Sequence, residues 1–451
     1  MNQTAKSGGR GAAFAIYTPT YFPRYVGGGE RLVQMIAAGL RNLGVQVVIL
    51  SEGELGEYEY DGIRVLTLPH RVDESYPGAK GPNPNLLIRA LQELGVCAVH
   101  TITVQGLSQL ASAVEELKLC FGMTAMDHGL VCDRRTLIHG DGAFCEGCRP
   151  LEECFSCKLK GRRTRDKLIA SLGRQIPESC AFTISKGTSR LAGRPLGKQL
   201  TWWGGEVAAD MRLMRAIDRL DAFITPTKWN MDLTRRRLSA DIASEVIMFP
   251  MPRELLSPEP KEGPIELLRV GFVGRPIPIK GLNVLIAAVE RARLQIPLEL
   301  HMFCPRNDNE EAEYWLPLRD RVRNLGGSVW TECGVLSGTA LRKIHGTIDV
   351  LALPSVWPDF CPFVTLEAQA LGTPVVLSDF PSQREMFAED QSSVWFAAPN
   401  DVSAWVNCLI SVWQAKRRGE LRAPTCRVPT IEDYAQRLLQ TYQRARRPLQ
   451  L

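Results

Sequence analysis

Two acidic residues, Asp359 and Glu367, stand eight positions apart around the start of a predicted helix. The apolar run DVLAL before them predicts a buried parallel strand, and PVVLSD after them predicts a second one. Pro362 opens the helix between these strands and Gly372 ends it. The resulting βαβ unit places the loop before the helix at the carboxyl end of a strand, where open parallel sheets bind their ligands.

The spacing of these acids fits an extended ligand with a diphosphate in its middle. A helix N-terminus offers unpaired N–H groups and the positive end of the helix dipole, which suits a diphosphate. An acid before the helix and one inside it can then hold hydroxyl groups on either side, in the order hexose, diphosphate, ribose. The alternative is that Asp359 caps the helix and Glu367 is a solvated surface residue.

The string DFCPFVTLEAQALGTPVV resembles the motif of the family 4 retaining glycosyltransferases, which have the GT-B fold. The resemblance implies that Asp359, where the family has Glu, holds hydroxyls of the donor sugar and that Glu367 holds the nucleotide ribose. It also assigns Phe363 and Val364, at the helix start, to the donor. This division of roles predicts that loss of the Asp359 charge slows transfer by weakening the contact with the donor sugar. The affinity for free nucleoside diphosphate should stay almost unchanged.

A second motif, GRPIPIKG, follows the predicted strand RVGFVG. Its spacing matches the other main motif of the family, and the resemblance implies that Arg275 and Lys280 neutralise the donor diphosphate. A leaving nucleoside diphosphate needs fixed positive charge as the glycosidic bond breaks, so these two residues are also assigned to catalysis. No metal is then required for the donor. The alternative is a pair of solvated basic residues.

The N-terminal part of the chain carries looser signals. Three consecutive glycines, Gly27, Gly28 and Gly29, precede a predicted helix. They resemble the GGxE loop of the family, with Glu30 as its acid. The resemblance implies contact with donor phosphate or acceptor, whereas the glycines alone indicate a flexible turn equally well. Farther on, Asp127 matches a family Asp after a strand. His128 is displaced by two positions from the family His, and we assign it a catalytic role near the sugar.

Five of the thirteen cysteines cluster in one loop. Two CxxC pairs with one upstream Cys can close a tetrahedral structural zinc site, while reduced thiols, a disulfide or an iron–sulfur cluster are the alternatives. The loop resembles a Cys-rich insertion of the family. The resemblance implies that four of the five cysteines bind the metal and that Cys148 is an extra. The five candidate metal ligands are Cys132, Cys145, Cys148, Cys154 and Cys157.

Composition excludes several classes of protein. The 451 residues are 45% hydrophobic and 23% charged with a net charge of +5, which fits a soluble globular chain and does not indicate nucleic acid. No apolar run approaches the ~20 residues of a membrane span, and the N-terminus lacks a secretory signal, so we predict a cytoplasmic protein. The basic run at 158–167 predicts a solvated helix start, with an anionic acceptor or a membrane surface as the alternative.

The strand and helix pattern predicts two Rossmann-like, doubly wound α/β domains facing each other across a cleft. We expect an acceptor-binding domain at 1–252 with the Cys-rich insertion at 128–165, then a linker at 253–265. A nucleotide-sugar domain follows at 266–428. The last segment, 429–451, predicts an amphipathic helix, and the resemblance implies that it crosses back to pack on the first domain.

The resemblance implies a retaining glycosyltransferase that moves a sugar from a nucleoside-diphosphate donor, such as a UDP-sugar, to an acceptor hydroxyl. The acceptor is a small molecule or a glycan, and the sequence does not indicate an oligomeric state. The alternative is a non-catalytic partner subunit that binds a sugar nucleotide, which the substituted Asp359 favours and the retained Arg275, Lys280 and Glu367 disfavour. A zinc-stapled nucleic-acid binder is disfavoured because no aromatic residues interleave with the basic run.

Overall fold

The computed structural model describes most of the chain. The described residues are 13–72, 80–132, 134–138, 142–147, 154, 157, 212–257, 261, 263–305, 312–334, 336, 338–388, 391–425, 428–447 and 449. They divide into two compact units. Unit 1 contains the described residues up to Thr225, then Asn230–Ile247 and those from Tyr434 onward; unit 2 contains Pro226–Trp229 and Met248–Asp433.

Unit 1 is built on a sheet with the strand order β10-β9-β8-β7-β1-β2-β4-β3. All neighbouring strands are parallel except β3, which is antiparallel to β4, and β5 and β6 form a separate antiparallel pair. The strands are β1 (Ala13–Tyr17), β2 (Gln46–Glu52), β3 (Gly56–Tyr60), β4 (Ile63–Leu68), β5 (His70–Val72), β6 (Lys80–Pro82), β7 (Val96–Thr101), β8 (Cys120–Thr124), β9 (Ala222–Thr225) and β10 (Ala243–Val246).

Among the described residues, helices follow several of these strands. They are α1 (Gly28–Asn42), α2 (Pro84–Glu93), α3 (Leu107–Leu117) and α4 (Lys228–Arg235). In α1 the buried residues include Leu32, Met35, Ile36 and Leu40, which recur at the spacing of one helix face. The central strand β1 is buried along its whole length, as expected for a strand covered on both faces of a parallel sheet.

Unit 2 is a parallel sheet with the order β13-β12-β11-β14-β15-β16. Its strands are β11 (Leu268–Val273), β12 (Leu298–Pro305), β13 (Val329–Cys333), β14 (Val350–Leu353), β15 (Val375–Ser378) and β16 (Val394–Ala397). Every pair of neighbours is parallel. Strands β14 and β15 are buried at every position, which confirms the two strands that the sequence predicts around the acid pair.

Helices connect the strands of unit 2. They are α5 (Leu282–Ala292), α6 (Ala312–Arg323), α7 (Gly338–Thr347), α8 (Phe363–Ala370), α9 (Pro381–Met386) and α10 (Val402–Arg417), with 3-10 turns at Arg253–Leu255, Pro278–Lys280 and Gln391–Ser393. Two parallel-sheet units with this alternation of strands and helices are the α/β class that the sequence predicts.

A buried ion cluster links three elements of unit 2. Asp349, at the start of β14, accepts hydrogen bonds from Arg269 Nη2 at 2.8 Å and from Lys416 Nζ at 2.7 Å. Burial raises the pKa of the Asp349 carboxyl, but the hydrogen bonds from Arg269 and Lys416 outweigh it and hold that pKa below its usual value. The cluster therefore fixes β11, β14 and α10 around one charged carboxylate.

The last helix, α11 (Ile431–Gln443), continues into unit 1 from Tyr434. There the Tyr442 hydroxyl lies 3.0 Å from Nδ1 of His100, and Arg437 Nη2 lies 2.8 Å from a carboxylate oxygen of Glu245. Within unit 1, the residues from Tyr434 onward thus contact strands β7 and β10 through these side chains. None of the described helices is long and apolar enough to span a membrane.

Candidate active site

The loop after β11 reaches the loop after β14 because Gly281 has no side chain. Its φ is +66°, and a Cβ at this position would stand 1.9 Å from the carbonyl oxygen of Pro354. The backbone N–H of Val356 donates to the carbonyl of Ile279 at 3.0 Å. The two loops are therefore joined at backbone level, at the point of the strand order where chain connectivity diverges and parallel sheets bind ligands.

The junction of these loops holds an ion pair. Lys280 Nζ donates to Oδ1 of Asp359 at 2.7 Å, and the Ser355 hydroxyl donates to Oδ2 of the same carboxylate. The ammonium also stands 5.8 Å from the centre of the Trp357 ring. Both partners of the pair are largely buried, with 19% of the Lys280 side chain and 5% of the Asp359 side chain exposed. The structure thus brings together two of the predicted site residues.

The carboxylate of Asp359 is not a helix cap. Helix α8 begins after Pro362 without any side-chain cap, so Pro362 is the residue before the helix and not its first residue. Glu367 lies inside α8 and is only 1% exposed. The alternative interpretation of a capping Asp359 and a solvated Glu367 is therefore wrong on both points, since one carboxylate has other partners and the other is buried.

Helix α8 begins without a side-chain hydrogen bond from the residue before it. The first N–H groups of any helix lack intrahelical partners, and here the hydroxyl of Thr365 is turned to the carbonyl of Pro362 at 2.7 Å. Phe363 and Val364 form the first turn. Together with the positive end of the helix dipole, this turn can bind an anion beside the Lys280–Asp359 pair.

Arg275 lies in the same loop but outside this cluster. It follows the end of β11, and its side chain is exposed. In the part of the chain that the structure describes, its guanidinium has no hydrogen-bond or ion-pair partner. Arg275 is consequently available to an anionic ligand without breaking an internal contact, whereas Lys280 already has a counter-ion.

Sequence reasoning missed the two serines that hold Asp359. The Ser355 hydroxyl contacts its carboxylate, and the Ser382 hydroxyl, at the start of α9, donates to its main-chain carbonyl at 2.9 Å. Both serines are buried. A signal for Ser355 was present, because it stands two positions after the end of β14 and four positions before Asp359. Ser382 is distant in sequence and only the fold brings it near.

In unit 1, the glycines of the first loop belong to the helix. Gly28 and Gly29 are the first two residues of α1, and Gly27 is the extended residue before it, so the loop is two residues shorter than predicted. The Thr20 hydroxyl donates to the carboxylate of Glu30. This helix also begins without a side-chain cap. The predicted contact of Gly28 and Gly29 with donor or acceptor stays a prediction.

The residues after β8 are held by internal contacts. Asp127 Oδ1 accepts from the N–H of Gly129 at 2.7 Å, and its Oδ2 lies 3.4 Å from Arg135 Nη1. Burial, which outweighs the effect of Arg135, raises the pKa of the Asp127 carboxyl. The side chain of His128 has no exposed surface. A catalytic role for His128 therefore stays a prediction that requires this side chain to become accessible.

His100, at the end of β7, has a structural role. Its Nδ1 lies 3.0 Å from the hydroxyl of Tyr442, and its Nε2 lies 3.0 Å from Oγ1 of Thr124. Burial lowers the pKa of His100 to about 3, so the imidazole is neutral at physiological pH. A histidine at the end of a strand is therefore used here to anchor the C-terminal helix.

The predicted zinc site finds no support in the described residues. Among them, no three His, Cys, Asp or Glu side chains gather closely enough to hold a metal ion. The structure describes four cysteines of this loop, none of which is in a disulfide: Cys132, Cys145, Cys154 and Cys157. Cys148 and the basic run at 158–167 lie outside the described residues. The zinc site is therefore unsupported by the described residues and rests on the CxxC spacing alone.

Comparison with known proteins bears on unit 2 most directly. Residues 268–415 match the family model "Glycosyl transferases group 1". An uncharacterized glycosyltransferase of Methanocaldococcus jannaschii is 33% identical over 32% of this chain and 35% of its own length. The D-inositol 3-phosphate glycosyltransferase of Stackebrandtia nassauensis is 32% identical over 36% of this chain and 37% of its own length. The chain thus spans about a third of the length of these curated relatives.

Solved structures cover both units. Sucrose-phosphate synthase of Thermosynechococcus elongatus aligns with 96% of this chain and 98% of its own at a TM-score of 0.58 and 16% identity. Anabaena HepE, solved in complex with UDP and glucose, aligns with 96% of this chain and 99% of its own. The TM-score is 0.59 and the sequence identity is 12%. At such identities the likeness shows the fold alone. The chain therefore has the fold of the GT-B glycosyltransferases, and its residues 268–415 are similar to the glycosyl transferases group 1.

Proposed function

We propose that this chain transfers a sugar from a nucleoside-diphosphate donor to an acceptor hydroxyl with retention of anomeric configuration. The observation that carries the proposal is the arrangement of Lys280, Asp359 and the uncapped start of α8 at the carboxyl edge of the unit 2 sheet. It combines a cation, an anion-binding helix end and a carboxylate within one loop junction. The cation and the helix end suit the diphosphate of a nucleotide sugar, and the carboxylate suits a hydroxyl of its hexose.

In the reaction, the bond from the anomeric carbon to the diphosphate oxygen breaks and a bond to the acceptor oxygen forms. The leaving diphosphate keeps the electron pair, and Arg275 and Lys280 stabilise its charge. The acceptor hydroxyl loses its proton to the leaving group or to solvent. Asp359 holds a hydroxyl of the sugar, Glu367 holds the ribose, and the N–H groups at Phe363 and Val364 contact the diphosphate.

A UDP-sugar is the donor class that we propose first. HepE was solved with UDP and glucose, and the trehalose-6-phosphate enzyme of E. coli was solved with a UDP-fluoroglucose; this chain has the same fold as both. The acceptor is proposed to be a small molecule or a glycan. Because the two basic side chains supply the positive charge, we propose that transfer needs no divalent metal.

The test is a panel of UDP-, GDP- and ADP-sugars incubated with the protein, with and without simple sugar acceptors. Release of nucleoside diphosphate is measured with and without chelator, and the anomeric configuration of any product is read by NMR. We expect release from one nucleotide class, undiminished by chelator. Tight binding of a nucleotide sugar with no release under any condition would instead favour the alternative of a non-catalytic binding subunit, and absence of binding would reject both.

A further inference from the structure

The carboxylate of Asp359 is fully engaged in the structure. Oδ1 accepts from Lys280 Nζ, and Oδ2 accepts from the Ser355 hydroxyl. The main chain of Asp359 is held as well, because the Ser382 hydroxyl donates to its carbonyl. An aspartate with a fixed main chain has few positions for its short side chain. It cannot turn toward a sugar hydroxyl while it keeps both of these partners.

The same ammonium is required by the donor. Under the proposed function, on which this inference rests, Lys280 stabilises the diphosphate, yet in the structure its charge is already neutralised by Asp359 at 2.7 Å. The pair is largely shielded from water, so the attraction between its partners is less screened than at an exposed surface. A diphosphate that approaches Lys280 must therefore displace or share this carboxylate.

We propose that Asp359 and the donor diphosphate compete for Lys280, and that Ser355 is the positioning residue that sets this competition. Ser355 occupies Oδ2 and turns Oδ1 toward the ammonium. When the diphosphate takes over Lys280, Oδ1 is released and becomes the acceptor for a hydroxyl of the donor sugar. Binding of the diphosphate and recognition of the sugar are thereby coupled through one carboxylate.

This coupling predicts that neutralising Asp359 changes the affinity for free nucleoside diphosphate in a way that neither of two simpler roles of Asp359 predicts. If Asp359 only held the sugar, its neutralisation would leave the affinity for free nucleoside diphosphate unchanged. If the pair were only a structural contact, its loss would lower stability and leave that affinity unchanged or weaker. Competition predicts tighter binding of the free diphosphate, because a competing anion is removed from Lys280 and from the vicinity of the phosphates.

The first experiment measures UDP and inorganic pyrophosphate binding to Asp359→Asn by isothermal titration calorimetry. The amide keeps the shape of the side chain and removes its charge. We expect affinity for both probes to rise about 3- to 30-fold, an effect of the size that a partly buried charge contact exerts. Transfer by the same variant should fall about 10- to 100-fold, because the sugar hydroxyl loses a charged acceptor.

The second experiment is a double-mutant cycle with Lys280→Met, which keeps the apolar stem beside Trp357 and removes the ammonium. In that background Asp359→Asn should change UDP affinity less than about twofold, since the group for which Asp359 competes is gone. An increase as large as in the wild-type background would show that general repulsion, and not competition for Lys280, causes the effect. Thermal unfolding of all four proteins confirms that each is folded.

The third experiment separates positioning from stability with two matched serines. Ser355→Ala removes a buried hydroxyl from the Asp359 carboxylate, and Ser382→Ala removes one from its main-chain carbonyl. We expect both to lower the melting temperature. Only Ser355→Ala should raise UDP affinity, by about 2- to 5-fold, because an unfixed carboxylate holds the ammonium less well.

The outcomes distinguish this inference from the proposed function. Wild-type protein that binds neither UDP nor pyrophosphate and releases no diphosphate from any donor would overturn the proposed function. Wild-type protein that binds UDP, together with an Asp359→Asn variant that binds it no more tightly, would overturn the competition alone. Equal UDP affinities of Ser355→Ala and Ser382→Ala would remove the positioning role of Ser355.

Discussion

At the scale of single residues, the two basic side chains assigned to the diphosphate have different surroundings. Lys280 is paired with Asp359 and largely buried, while the Arg275 side chain is exposed. Removing Lys280 leaves a buried carboxylate without its counter-ion, which costs stability as well as function. Removing Arg275 breaks no contact that the structure describes.

We therefore expect Arg275→Ala to lower transfer by about 100-fold or more at unchanged stability, the usual loss when one fixed charge-stabilising donor is removed. Lys280→Ala should lower transfer as much and also lower the melting temperature. Steady-state kinetics and thermal unfolding measure the two effects. Lys343, an exposed lysine on α7, is the matched control, and Lys343→Ala should change neither. Wild-type turnover by Arg275→Ala would contradict its role at the diphosphate.

At the scale of elements, the site depends on how closely two loops approach. Gly281 has the same backbone conformation as Gly419, with φ near +66° in both, but a Cβ at Gly419 would meet nothing within 4 Å. At Gly281 it would collide with the carbonyl of Pro354. The two glycines thus share a positive φ, and of the two only Gly281 would bring a Cβ against the neighbouring loop.

This pair of glycines gives a sharp prediction. Gly419→Ala should cost about 1 kcal/mol, the strain of a left-handed non-glycine residue, and leave UDP binding unchanged. Gly281→Ala should cost more than that and weaken UDP binding about tenfold or more, because Lys280 and the start of α5 must move away from the loop that carries Asp359. Urea unfolding and calorimetric titration test both variants. Equal effects of the two substitutions would show that the loop contact does not position the site.

At the scale of the whole molecule, a buried histidine with a lowered pKa lies in each unit. His100 in unit 1 lies against Tyr442 and Thr124, and in unit 2 Nδ1 of His345 lies 2.9 Å from Oγ1 of Thr373. Burial lowers the pKa of both histidines to about 3. At His345 the nearby positive charge of Lys261 contributes as well. In the unfolded chain both histidines titrate near pH 6.5.

These pKa values predict loss of stability in mild acid. Above about pH 6.5 both histidines are neutral in the folded and unfolded states, and their contribution is constant. As the pH falls from 6.5 toward 3, the unfolded chain binds protons that the folded units exclude, so each unit loses about 1.4 kcal/mol per pH unit, or about 2 kcal/mol at pH 5. Protonation of the folded histidines ends the decline near pH 3.

The measurement is the melting temperature of each unfolding transition at pH 7 and pH 5. Replacing a buried histidine with glutamine should reduce the difference between the two pH values for the unit that contains it, in His100→Gln and in His345→Gln. His70 is exposed, and His70→Gln serves as the control with an unchanged difference. An undiminished difference in both buried variants would contradict the assignment of acid sensitivity to these residues.

Much of unit 2 was determined by the sequence itself. The strands on either side of the acid pair are short apolar runs bounded by Pro and Gly, and burial on both faces of a parallel sheet leaves such runs few alternative structures. The spacing of GRPIPIKG and of Asp359 to Glu367 was enough to place their loops at the carboxyl edge of one sheet, because alternating strands and helices have a fixed connection rule.

Partners that are far apart in sequence were decided only by tertiary structure. The pairing of Lys280 with Asp359 spans 79 positions, and that of His100 with Tyr442 spans 342. A sequence pattern assigns such residues to an element but not to the atoms that they contact. For this reason the sequence assigned Asp359 to the donor sugar but did not indicate its ion pair with Lys280. It likewise predicted a metal site at the clustered cysteines, and no such site forms among the described residues. Local periodicity determines the elements, whereas hydrogen bonds and ion pairs depend on packing between them.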